Sequence, residues 1–150
     1  MGNYYHKGSK VLVPGIGAEP QLENFRHSVA TETLAADTTL TAEDSGKTIF
    51  VSGASAIDVT LPSPVAGMNF KFIITNVTAD VDIVQAGSSD DFVGTIMGVS
   101  ANDSAVSGDT KIIFDQSGGY SAGDWVSLSC DGTNWYVEGA CSSAADVVFG

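Results

Sequence analysis

The sequence predicts an all-β protein: an antiparallel β-sandwich or jelly-roll-like module of about eight short strands, residues 31–150, carrying an extended N-terminal arm, residues 1–30. Three observations predict it. Apolar and polar residues alternate with a period of two in several short runs, as in Ile57, Val59 and Leu61 against Asp58 and Thr60. These runs are rich in β-branched and aromatic residues and are cut by Gly, Asp, Asn and Ser. No long amphipathic helical pattern is present, and parallel neighbours ordinarily need a helical crossover, so the strands are expected to pair antiparallel.

In chain order, strands are expected near 29–34, 47–52, 57–61, 68–75, 80–86, 93–97, 110–115, 124–130 and 134–140. Pro62 and Pro64 end the third run, because proline cannot donate to a ladder, and they shape the loop that follows. Phe70, Phe72 and Ile74 form one apolar face, opposed by the mixed face of Asn69, Lys71 and Ile73. The Ser-, Gly-, Asp- and Asn-rich stretches 87–91 and 98–109 read as solvent-facing loop tips. The last two runs flank Asp131-Gly132-Thr133-Asn134, a turn sequence, and so form a hairpin in which Val126, Leu128, Cys130, Trp135, Val137 and Gly139 share the inward face.

That register also decides the thiols. Cys130 falls opposite Trp135 and Cys141 opposite Asp124, so six residues of strand, about 20 Å, separate them, far beyond the roughly 7 Å a disulfide tolerates between Cα atoms. Both cysteines read as small buried apolar groups.

The 150 residues make one domain with one core. Eighteen acidic against six basic residues give a net charge of -12, which repels nucleic-acid phosphates and anionic lipid, so neither direct nucleic-acid binding nor membrane binding is expected. With 43% hydrophobic residues the chain is nonetheless foldable. No run reaches the roughly 20 apolar residues of a membrane helix, and Met1 to Lys10 lacks the apolar region of a signal peptide. His6 stands where a myristoylation motif needs Ser or Thr. The charge is uneven: Lys7, Lys10 and Arg26 against Glu19 and Glu23 leave residues 1–30 at +1 and residues 31–150 at -13. Apart from a short helical turn at 20–27, the arm has no sustained period, and thirty extended residues can reach about 100 Å.

Catalytic constellations are not apparent. Ser45-Gly46-Lys47-Thr48 resembles the end of a phosphate-binding loop, but Thr41 occupies the first glycine position and a strand follows where a helix is needed. Gly15-Ile-Gly17 lacks the third glycine of a dinucleotide loop. The two histidines, His6 and His27, both lie in the arm, away from the rigid platform a nucleophile–base pair requires. Asp80/Asp82 and Asp90-Asp91 match no standard calcium loop and read as solvated acids. Asn76-Val-Thr78 and Asn102-Asp-Ser104 fit the glycosylation sequon, a pattern that arises often by chance. The chain is expected to be no enzyme and to use no cofactor or metal.

Leu40-Thr-Ala-Glu-Asp-Ser-Gly-Lys-Thr-Ile-Phe-Val51, Val59-Thr-Leu-Pro-Ser-Pro-Val-Ala-Gly-Met-Asn-Phe-Lys-Phe-Ile-Ile74 and Trp125-Val-Ser-Leu-Ser-Cys-Asp-Gly-Thr-Asn-Trp-Tyr-Val137 together resemble a β-rich module of tailed-bacteriophage virion proteins, among them capsid decoration (cement) proteins, head fibres and tail fibres. The resemblance spans roughly residues 31–140. With no heptads and no internal repeat for a fibre shaft, it implies a capsid decoration protein on the outer surface of the virion, a homotrimer bound to the major capsid protein. The arm would supply the contact through Tyr4, Tyr5, Val11, Leu12, Val13, Leu22 and Phe25, the apolar residues of the least repulsive segment. The alternative is a fibre or adhesin head that binds a host glycan through Trp125, Trp135, Tyr136 or Tyr120, of which Trp135 is expected to face inward and Trp125 and Tyr136 outward.

Overall fold

The computed structural model describes residues 29–87, 92–99, 102–104, 109–142 and 147–150. Within them lie twelve strands: β1 (Thr31–Leu34), β2 (Thr38–Thr39), β3 (Thr48–Gly53), β4 (Ile57–Thr60), β5 (Asn69–Val77), β6 (Val81–Val84), β7 (Phe92–Met97), β8 (Asn102–Ser104), β9 (Lys111–Phe114), β10 (Trp125–Cys130), β11 (Trp135–Ala140) and β12 (Val147–Phe149). A 3-10 turn at Ala42–Asp44 is the one helical element among the described residues. The protein is all-β. Seven strands form a large sheet in the order β1-β3-β5-β10-β11-β7-β8, and five form a small sheet in the order β12-β9-β6-β4-β2.

The antiparallel expectation is corrected: both sheets are mixed. β1 runs parallel to β3, β3 to β5, β2 to β4, β4 to β6 and β7 to β11. The reason lies in how the chain winds. From β1 to β6 it alternates strand by strand between the two sheets, so β1, β3 and β5 stack in one and β2, β4 and β6 in the other. A parallel neighbour needs a crossover of a dozen or more residues, usually helical. Here the crossover from β1 to β3 is residues 35–47, and it contains β2; that from β3 to β5 is residues 54–68, and it contains β4. A strand in the opposite sheet does the work of a helix.

The coil is regular. Connections of three residues (35–37, 54–56, 78–80) alternate with connections of eight (40–47, 61–68). Successive turns are tied to one another: Leu40 N donates to Thr60 O and Leu61 N to Val84 O, and Thr75 Oγ1 donates to Val51 O and Thr78 Oγ1 to Ala54 O. Leu40 and Leu61 are buried at equivalent places in consecutive turns, closing the end of the core.

Each of the nine strands read from the sequence is present, with ends shifted by a residue or two. Three were missed. β2 has two residues; β12 lies beyond residue 140; and β8, inside the stretch read as a loop tip, has no apolar residue to mark it and pairs with β7 through its backbone. Strand alternation places one apolar set between the sheets, where Trp135, Phe70, Phe72 and Phe114 are fully buried. Each such side chain contributes on the order of 2 kcal/mol by leaving water. Trp135 packs its ring 5.8 Å from that of Phe70, and Tyr120 sets its edge against Phe114 at 6.4 Å.

The closing hairpin has the expected register, with Cys130 paired to Trp135 and Trp125 to Ala140. Val126, Leu128, Cys130, Trp135 and Val137 are buried together. In its turn, Gly132 takes a positive φ of 104° and Asp131 Oδ1 accepts from the N–H groups of Thr133 and Asn134, both at 2.8 Å. The backbone donor of Asn134, first among these, holds the Asp131 carboxyl below the usual carboxylate range.

Candidate interaction surface

The large sheet turns its other set of side chains outward, and pairing orders them into rows. Phe50 of β3 pairs with Ile73 of β5, Ile73 with Trp125 of β10, Trp125 with Ala140 of β11, and Ala140 with Met97 of β7. Five strands thus contribute one apolar side chain each to a continuous line across the face, about 20 Å long at about 4.8 Å per strand. Met97 is 59% exposed. The adjacent row is polar, Thr48, Lys71, Ser127, Glu138 and Thr95, and beyond it lie Asn69, Ser129, Tyr136 and Val93.

Electrostatically this face differs from the rest of the molecule. Lys71 and Glu138 are the charged residues in its three rows, and they cancel, within a chain of net charge -12. Lys71 forms no ion pair among the described residues; its Nζ lies over the Trp125 ring, 4.4 Å from the centroid, which holds the ammonium at the apolar row. The outward side of the small sheet is acidic by contrast. Asp58 and Asp82 are direct neighbours across β4 and β6, and Lys111 donates to Asp82 at 2.6 Å. That bond, with the nearby charges of Asp58 and Asp80, pushes the Lys111 ammonium above the usual lysine range.

Other segments singled out in the sequence have structural partners. Gly46 turns with φ 86° into β3, and Lys47 donates to Asp44 at 2.6 Å and Glu32 at 2.7 Å, so the loop-like Ser45-Gly46-Lys47-Thr48 is a turn entering a strand whose lysine is already paired. Asp80 Oδ1 accepts from Gln116 N at 2.9 Å. Asp124, 4% exposed, accepts from Ser121 N, Ser142 N and Ser142 Oγ, and so closes the open end of the last hairpin. No group of three or more His, Cys, Asp or Glu among the described residues is placed to hold a metal ion.

The predicted arm contacts, Tyr4, Tyr5, Val11, Leu12, Val13, Leu22 and Phe25, lie outside the described residues, as do His6, His27 and Asp90-Asp91. What is described is where the arm joins: Val29, 52% exposed, leads into β1, an edge strand of the large sheet. Of the aromatics weighed for a glycan, Trp135 is buried and Tyr120 is half-buried with its hydroxyl donating to Ala79 O at 2.6 Å. Trp125 and Tyr136 do face outward, but Tyr136 lies four residues along β11 from Ala140, the partner of Trp125, about 13 Å away. The two rings do not form one platform. The apolar row itself was missed in the sequence, since its members are scattered from residue 50 to residue 140 and only pairing aligns them. Comparison with protein-family models, curated proteins and solved structures finds no match to this chain.

Proposed function

We propose that this chain is a structural protein of a tailed-phage virion that decorates and cements the outer surface of the capsid as a homo-oligomer, anchored to the major capsid protein through its N-terminal arm. The observation that carries this reading is the distribution of charge. An acidic module suits a surface that must stay dispersed, while its neutral, apolar-rowed sheet face and the arm at +1 are the surfaces another acidic protein can approach. The stretches that resemble virion modules also supply β3, β5, β10 and β11, four consecutive strands of the large sheet. The arm precedes β1, an edge strand of the large sheet, and an unpaired strand edge is a surface that another chain can cover.

Co-sedimentation with shells preassembled from the cognate major capsid protein tests this. The full chain is expected to pellet with shells, and deletion of residues 1–27 to abolish pelleting while the circular dichroism of the module is kept; Ala at Tyr4, Tyr5 and Phe25 together should weaken it in part. Unchanged binding by the truncated chain would exclude the arm as the anchor. Binding on a glycan array with no binding to shells would favour the adhesin reading instead.

A further inference from the structure

We propose that the outward face of the large sheet pairs with the same face of a second copy, about a twofold axis running along β10. The inference stands apart from the capsid reading and rests on the pairing registers and the charge of the face. A twofold contact is isologous, so the face must be complementary to itself. Rotation about an axis along β10 lays β5 over β11 of the second copy and β3 over its β7. Lys71, swung off the Trp125 ring into its own row, then meets Glu138 of the second copy, and Glu138 meets its Lys71, two reciprocal opposite-charge contacts near the axis. In the apolar row, Ile73 meets the small Ala140, Phe50 meets Met97 with sulfur against ring, and the two Trp125 residues meet at the centre. Large side chains oppose small or flexible ones, and each charge opposes its counter-charge.

The rest of the surface argues for the same occupant. Two copies at -12 repel each other along most approaches, and this face, with its charges cancelled, lets them meet without like-charge contact. Five strands by about 17 Å of strand length make a face of about 400 Å² per copy, below the standard-size interface, so the pairing belongs to the weak class and is concentration-dependent. It differs from the trimer that the virion resemblance implies, because a threefold contact does not set Lys71 and Glu138 against each other reciprocally.

Sedimentation velocity of the full chain from about 10 µM to about 1 mM reads the association, a range suited to a weak interface. A monomer–dimer equilibrium is expected. Lys71→Glu alone and Glu138→Lys alone should each weaken it about tenfold or more, since each variant puts like charges together at both contacts. An equimolar mixture of the two variants should restore it as a heterodimer, and so should the double exchange in one chain. The double exchange separates pairing across copies from loss of the Lys71–Trp125 contact, which it leaves missing in both copies, and the Glu138→Lys variant alone keeps that contact while losing the pairing. A chain that stays monomeric, a trimer, or a dimer indifferent to both single variants would overturn the proposal.

Discussion

Gly94 of β7 lies directly against Val137 of β11, its partner in the parallel ladder, with φ at 153° and so little space that a Cβ built on it would overlap the Val137 carbonyl oxygen and stand 2.8 Å from the carbonyl carbon. The neighbour is backbone, and backbone in the middle of a sheet cannot swing aside. Gly94→Ala is therefore expected to destabilise the fold by about 3 kcal/mol or to prevent folding, since strained φ and steric overlap act together. Gly87, with nothing within 4 Å of its built Cβ and no positive φ, is the control. Gly87→Ala should fall within about 0.5 kcal/mol of the parent in urea unfolding. Equal effects at the two positions would show that β7 and β11 are not paired in this register.

Redox conditions should leave thermal stability unchanged. Cys130 and Cys141 are both buried and lie at opposite ends of the β10–β11 hairpin, one at its turn and the other just past its open end. A melting curve with and without reductant, together with thiol alkylation and intact mass under denaturing conditions, checks this. Two alkylated thiols are expected, and a bridged species would mean that the hairpin register is wrong.

Asp44 gives the fold an acid-sensitive clasp. Its carboxylate accepts from Lys47 Nζ at 2.6 Å and from Thr41 N and Oγ1, both at 2.8 Å. The Lys47 bond is the largest of the causes that hold its pKa at about 2, below the ordinary 3.8. The folded value lies below the unfolded one, so the stabilisation is complete above the unfolded pKa and is lost as pH falls through about 2. Asp44→Ala is expected to cost about 1 kcal/mol at neutral pH, a modest figure because the clasp is partly solvated. The difference between parent and variant should vanish toward about pH 2. A gap that persists there would assign the effect to packing and not to ionisation.

Much of this protein was legible in its sequence because period-two alternation is local. Val126, Leu128, Cys130, Trp135 and Val137 announce their common face within one hairpin, and the separation of Cys130 from Cys141 follows from counting residues along it. The partner of each strand was not legible, because side chains alternate identically in parallel and antiparallel ladders, and nothing local in Thr48 says that it will lie between Thr31 and Lys71. Only tertiary structure decided that the chain coils between two sheets, and with that decision came the parallel pairs, the polar strand β8 and the glycine that β7 needs opposite Val137. The outward row is the same lesson at the surface. Phe50, Ile73, Trp125, Ala140 and Met97 belong to five separate runs in the sequence, and they become a continuous face because four registers, set by burial on the other side of the sheet, bring them into line.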